Sequence, residues 1–167
     1  MIEVKNIQKS FDGKIIIKDV SAVMKAGQCN LIIGASGSGK TVLMKCMVGL
    51  FEPDLGEVLY GGQNFTAMKG YDKTEIRKEI GMLFQGSALF DSLNVEANIM
   101  FPLSMFTDLT HKKELDRVNE VLSRVNLTDV NRKYPAELSG GMKKRVALAR
   151  AIVLNPKYLF CDEPNSG

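Results

Sequence analysis

At 167 residues with 45% hydrophobic content, the chain has enough material for one domain with a real core. Its 22 Lys and Arg against 19 Asp and Glu leave a slight basic excess, far from the concentrated positive stripe that nucleic-acid binding requires. No apolar run approaches the roughly 20 residues of a membrane-spanning helix, since the longest, Ile99 to Phe106, is short and interrupted by Pro102 and Ser104. The amino-terminal part alternates short β-type runs with turns: Ile2 to Val4, the turn Phe11-Asp12-Gly13-Lys14, Ile15 to Ile17, Val20 to Val23 and a turn at Gly27-Gln28. That pattern predicts an antiparallel β region. Cys29-Asn30-Leu31-Ile32-Ile33 reads as a strand buried on both faces, followed by a Gly-rich loop and a helix over Lys40 to Val48, the βα unit of a parallel α/β core. Further strands are predicted at Glu57 to Tyr60, between turn signals, and at Ile80 to Phe84.

From Val95 to about Val125 the pattern turns helical, with Leu115, Val118, Leu122 and Val125 on one face, which reads as a helical sub-lobe inserted into the α/β core. Pro135 breaks the chain before a second helix, Gly140 to Leu154; Asn155-Pro156 ends it, and Tyr158 to Cys161 returns as a strand. The cysteines, Cys29, Cys46 and Cys161, lie in apolar stretches and read as small buried hydrophobes in a reducing compartment. The start, Met-Ile-Glu-Val-Lys, lacks the pattern of a secretory signal. Asp162 to Gly167 reads as a loop at which the chain is truncated.

Gly34-Ala35-Ser36-Gly37-Ser38-Gly39-Lys40-Thr41 matches G-x-x-x-x-G-K-[ST], the phosphate-binding loop, with Val42 next along the helix. Its glycines let backbone N–H groups turn toward phosphates at the positive end of the following helix, Lys40 adds a full charge, and the Thr41 hydroxyl suits Mg²⁺. ATP or GTP is the implied ligand; a merely flexible Gly/Ser loop is the alternative. Tyr158-Leu159-Phe160-Cys161-Asp162-Glu163 is an apolar strand ending in two carboxylates. Such acids stand at the carboxyl edge of the sheet, where Asp162 is suited to hold Mg²⁺ through water and Glu163 to accept a proton from water attacking a γ-phosphate. An ordinary acidic turn is the alternative there. Leu138-Ser139-Gly140-Gly141-Met142 opens the later helix with a good N-cap, Ser139, and a Gly-Gly pair that costs up to ~2 kcal/mol relative to alanine. A second anion site explains that expense, while the basic run Lys143-Lys144-Arg145 reads as a solvated helix face.

Together the phosphate loop, Gln85, Leu138 to Met142 and the Tyr158 to Glu163 strand resemble the Walker A, Q-loop, signature and Walker B motifs of ABC ATPases, in that family's order. The resemblance implies an α/β P-loop NTPase with a RecA-like core, an amino-terminal antiparallel β region and an inserted helical subdomain. It makes the chain a single incomplete domain, with 1–85 and 155–167 as β region and core and 86–154 as the helical part. It further implies that Phe11 stacks on adenine and that Gln85 contacts Mg²⁺ and the attacking water. Ser139, Gly140, Gly141 and Met142 would close over ATP held by a second ATPase subunit, and the residues after Gln85 would face a transmembrane permease at the inner face of the cell membrane.

Within the family the likeness is to the ATPases of Mla-like lipid transporters that work with MCE-domain proteins. It is carried by Met82 to Leu93, by Met100-Phe101-Pro102-Leu103 and by Met142 with the basic run behind it. Met142 replaces the usual Gln and Asn165 the usual Thr, and the switch histidine that follows in the family is missing, so the chain is expected to bind nucleotide and turn it over negligibly. The rival readings are an ABC ATPase with another cargo, a soluble ABC-type ATPase acting on DNA or ribosomes, and a small-molecule P-loop kinase. A kinase has no use for Leu138 to Met142, and the absence of a long heptad run disfavours the DNA-acting relatives.

Overall fold

The alternation of apolar and polar residues at the start of the chain produces a long antiparallel hairpin, β1 (Ile2–Phe11) and β2 (Lys14–Met24). In the computed structural model, which describes residues 1–163, this hairpin belongs to a first compact unit spanning Met1–Arg77; a second begins at Lys78. The acidic-loop residues beyond Glu163, including Asn165, lie outside the described residues. The first unit adds α1 (Lys40–Met47), β3 (Leu55–Tyr60), β4 (Gln63–Asn64) and α2 (Gly70–Lys78, which runs one residue past the boundary), with sheet order β2-β1-β3-β4, antiparallel throughout.

Strict alternation along β1 from Ile2 and Val4 would turn Asn6 and Gln8 inward and Ile7 outward. A bulge at Asn6, in the left-handed region at φ 51°, resets the phase so that Ile7 is fully buried. The Asn6 amide N–H donates to Ser21 Oγ at 2.8 Å and its side chain to Asp19 Oδ1 at 2.7 Å, replacing the ladder bonds that the bulge removes. Opposite, Gly56 on β3 has φ 87° and a Cβ there would stand 2.4 Å from the Asn6 carbonyl oxygen, so only glycine fits. Ile7, Val58, Phe65 and Met47 fill this core, and the Tyr60 hydroxyl donates to the Met47 carbonyl at 2.9 Å at the carboxyl end of α1.

The second unit holds β5 (Ile80–Leu83), α3 (Val95–Phe106), α4 (His111–Arg124), a 3₁₀ turn at Pro135–Glu137, α5 (Gly140–Ile152) and β6 (Tyr158–Cys161). β5 and β6 pair in parallel, Ile80 with Tyr158 through Leu83 with Cys161. The three helices share a core that includes Val95, Ile99, Val118, Leu122, Val146 and Val153. The stripe read from the sequence on α4 faces the core: Val118, Leu122 and Val125 are buried, with Val121 beside them, and Leu115 is half-buried. No described helix is long and apolar enough to cross a membrane.

Two expectations are corrected. Residues 29–33 form no strand, and Leu31 and Ile33 are 79% and 84% exposed. A strand buried on both faces needs ladder neighbours, and the four-stranded sheet of this unit pairs without that segment. Consequently Cys29 is exposed, as is Cys161 on β6; only Cys46, inside α1, is the buried thiol expected, and burial pushes its pKa up. The helix α2 has no signal in the sequence pattern, because none of its residues is buried and it carries no apolar stripe.

Candidate functional site

The loop of residues 34–39 leads into α1 through Gly39, which stands at the N-cap with φ 91°. A Cβ there would meet the Ile16 carbonyl oxygen at 3.2 Å, and the left-handed backbone disfavours any larger residue. No side chain caps the amino end of α1, and its first turn carries no acidic residue. The positive end of the helix is therefore offered to an external anion rather than to a carboxylate of the chain. Gly34 to Ser38 are exposed; Lys40, Thr41 and Val42 are half-buried. The Lys40 ammonium donates to the carbonyls of Gly34 and Ala35, both at 2.9 Å, so the cation lies against the loop itself.

Phe11, at the end of β1, packs edge-to-face on Phe51 with ring centroids 5.3 Å apart and carries the Lys9 ammonium 5.4 Å from its own centroid. Lys9 in turn donates to Asp54 at 2.7 Å, and the Ser10 amide donates to the other Asp54 oxygen at 2.6 Å. The Lys9 hydrogen bond first, then that of Ser10, hold the Asp54 carboxyl below its usual value of 3.8. These contacts fix the strand end that presents Phe11, a residue that remains 38% exposed.

In the second unit the parallel register does the assembling. With Leu83 opposite Cys161, the residues two further along each strand, Gln85 and Glu163, leave the same carboxyl edge together. The Gln85 side-chain amide donates to Glu163 Oε2 at 2.7 Å. Between them in sequence the Asp162 amide donates to the Leu83 carbonyl at 2.9 Å, extending the ladder past β6, and Asp162 is only 6% exposed. Glu163 itself sits at φ 45°, a left-handed conformation uncommon for a non-glycine residue.

At the start of α5 the Ser139 hydroxyl accepts from the Met142 amide at 3.3 Å, the expected N-cap. A Cβ on Gly140 or Gly141 would meet no atom within 4 Å, so nothing in the chain itself demands glycine at either position. Met142 is half-buried and packs against the helical core. Of the basic run, Arg145 is not merely solvated: its guanidinium donates to the Asn126 carbonyl at 2.9 Å, beyond the carboxyl end of α4.

Two polar side chains that composition and periodicity do not reveal hold the segment following Gln85. Asn98 on α3, 0% exposed, accepts from the Phe90 amide at 2.8 Å and donates to the carbonyls of Phe90, Leu93 and Asn94 at 3.0, 2.9 and 3.0 Å. Arg150 on α5 donates to the Ser87 carbonyl at 3.1 Å and lies over the Phe90 ring, 5.7 Å from its centroid. The only signal available beforehand was a polar residue inside each of two apolar runs.

Among the described residues no three His, Cys, Asp or Glu side chains gather to hold a metal ion unaided. Within the second unit, the Gln85 amide oxygen and the Asp162 carboxylate are oxygen donors of the kind a hard ion such as Mg²⁺ accepts.

The chain is 42% identical over 166 residues to the probable ribonucleotide transport ATP-binding protein mkl of Mycobacterium leprae, covering 99% of this chain and 48% of that protein. It is 44% identical over 167 residues to the methionine import ATP-binding protein MetN of Clostridium acetobutylicum, covering 99% and 52%. The chain thus spans about half the length of these relatives. Among solved structures it superposes on a dimeric post-hydrolysis state of the ATP-binding cassette MJ0796 bound to ADP and Pi with a TM-score of 0.90, at 30% identity, over 99% of this chain and 75% of that one. The family model for ABC transporters matches residues 17–166, and with the phosphate loop, the Gln85–Glu163 pair and the glycine-opened α5 in place, the chain belongs to the ABC transporter family.

Proposed function

We propose that this chain is the ATP-binding and ATP-hydrolysing part of a transporter motor. The observation that carries the reading is the hydrogen bond from the Gln85 amide to Glu163, 2.7 Å long, at the carboxyl edge of β5 and β6. It joins a candidate general base to the segment that carries the exposed Phe90.

In this reading Gly34 to Val42 cradle the phosphates of ATP with backbone N–H groups, and Lys40 exchanges its loop carbonyls for phosphate oxygens. Phe11 takes the adenine. Thr41, Gln85 and Asp162 hold Mg²⁺, which neutralises charge on the phosphates. Glu163 accepts the proton of the attacking water as its oxygen bonds to the γ-phosphorus and the bond to ADP breaks, and Gln85 orients that water. Ser139, Gly140, Gly141 and Met142 of a second copy cover the same nucleotide; the open space around both glycines supports this, because a backbone without Cβ atoms lets phosphate approach closely.

The permease partner is supported by Phe90 and Phe101, 43% and 42% exposed with centroids 5.1 Å apart, and by the exposed Met105 nearby in sequence on α3. That association would set the protein at the inner face of the cell membrane. For the cargo, the likeness of Met82 to Leu93, of Met100 to Leu103 and of Met142 supports a phospholipid, with an MCE-domain partner. A second reading, import of a small polar solute, is favoured by the 44% identity to a methionine import protein.

The test is phosphate release by the full-length protein and its Glu163→Gln variant. Turnover that the substitution abolishes while Mg·ATP still binds supports the reading; a variant that hydrolyses ATP as fast as the parent refutes it.

A further inference from the structure

The segment from Gln85 to α3 is built in an unusual backbone conformation. Gly86, Ser87 and Ala88 follow one another in the left-handed region, at φ 76°, 70° and 46°. For Ser87 and Ala88 that conformation is disfavoured and persists only where neighbours impose it. Two side chains do so from two helices: Asn98 of α3 grips Phe90 and Leu93, and Arg150 of α5 grips the Ser87 carbonyl and the Phe90 ring. Ser87, whose carbonyl Arg150 holds, is itself buried.

Arg150 lies among fully buried neighbours of α5, Val146, Ala149 and Val153. A guanidinium there loses much of its hydration, and burial holds its pKa below the ordinary value. Methionine or leucine would fill the volume without that expense, so filling space does not account for it. What an arginine adds is a directed donor and a flat cation for an aromatic ring, and it spends both on the segment behind Gln85. The helix that carries Arg150 is the one opened by Ser139-Gly140-Gly141, and the segment it holds is the one that starts at the residue bonded to Glu163.

We propose that Arg150 is a positioning residue that ties α5 to the segment after Gln85, so that a displacement of either element is transmitted to the Gln85 amide on Glu163. The inference rests on the ATPase reading for its catalytic consequence, and on geometry alone for the link itself.

Two arms separate these. In the first, amide hydrogen exchange of residues 86–90 is measured on this chain, unchanged and with Arg150→Met or Arg150→Lys. Arg150→Met is expected to speed exchange about tenfold or more, and Arg150→Lys, which keeps a cation and a donor, to bring it back to within about threefold of the parent. In the second arm the full-length protein is assayed: Arg150→Met is expected to lower kcat about tenfold while KM and the Kd for Mg·ATP stay within about twofold, and Arg150→Lys to restore most of the rate. Arg150→Gln replaces Arg150→Met, with the same expectations, if the methionine variant does not fold. Unchanged exchange overturns the link. Changed exchange with unchanged kcat, or a loss of kcat matched by the loss of ATP affinity, overturns the positioning role. A parent protein that releases no phosphate refutes the ATPase reading instead, and the link is then decided by exchange alone.

Discussion

Replacing Asn98 provides a quantitative test of how the segment after Gln85 is held. Its side chain is 0% exposed, and its amide meets the Phe90 N–H and three carbonyls. Asn98→Ala leaves the Phe90 N–H without its acceptor and the Leu93 carbonyl without its side-chain donor. The Phe90 carbonyl keeps the Leu93 amide at 3.1 Å, and the Asn94 carbonyl keeps the Asn98 amide at 2.9 Å, so the loss falls on the Phe90 N–H and the Leu93 carbonyl. At about 1–3 kcal/mol for each buried group left unsatisfied, with partial relief from water entering the vacated volume, the expected loss is ~2–4 kcal/mol. Asn98→Asp separates hydrogen bonding from packing, because it preserves shape. It keeps an acceptor for the Phe90 amide but turns a carboxylate oxygen toward the three carbonyls. At neutral pH the N98D variant is expected to lose at least as much as N98A. Its folded-state pKa is raised above the unfolded value, so the deficit is present at neutral pH and shrinks as pH falls through the folded pKa and the carboxyl becomes a donor. Urea denaturation followed by circular dichroism reads both variants, with the midpoint compared at constant slope. A loss below about 0.5 kcal/mol for N98A, within the range of an ordinary surface substitution, would refute the argument that these bonds hold the segment.

Other consequences are read more simply. The Asp54 carboxyl, held below its ordinary 3.8 by Lys9 and Ser10, contributes stability that is present above that value and lost as pH falls through the lowered folded pKa. Asp54→Asn should therefore flatten the stability profile of the chain between about pH 4 and the acid limit and leave its shape above pH 6 unchanged; an identical acid limb in parent and variant would contradict the assignment. A neutral thiol reagent at mildly alkaline pH should label Cys29 and Cys161 in the folded chain and Cys46 only on unfolding, since the Cys46 thiol is buried and its pKa raised. Mass spectrometry of the labelled peptides decides this, and rapid native labelling of Cys46 would contradict the packing of α1. Arg145→Ala should destabilise the chain by about 1 kcal/mol through loss of the guanidinium on the Asn126 carbonyl, readable in the same urea titration. A solvated helix face, as the basic run reads in isolation, would show no change.

The parts of the molecule visible in the sequence are those where the physics is local. The phosphate loop is legible because positive φ at Gly37 and Gly39 is a requirement that glycine meets at once, and α4 because its apolar residues recur at helical spacing. The β1–β2 hairpin is legible from alternation and the Asp12-Gly13 turn, although the Asn6 bulge that keeps Ile7 inside depends on Gly56, far along the chain. Residues 29–33 depart from their sequence pattern for the complementary reason: hydrophobicity states what a segment would bury, and only neighbouring strands decide whether it does. The site shows the same division. Gln85 and Glu163 were both identified, yet their hydrogen bond spans 78 residues and follows from the register of β5 on β6, which no local pattern encodes. The roles of Asn98 and Arg150 are not legible in the sequence, because a polar residue in an apolar run gains meaning only through the carbonyls turned toward it.

The claim on which the rest depends is that residues 34–41 hold the phosphates of ATP. Titration of the chain with Mg·ATP, monitored by calorimetry, tests it directly when the parent is compared with Lys40→Ala. The substitution removes one charge-assisted contact, worth ~1.5–3 kcal/mol, so saturable binding by the parent should weaken about ten- to a hundredfold. An unchanged Kd in the variant, or no binding by the parent, would contradict the account.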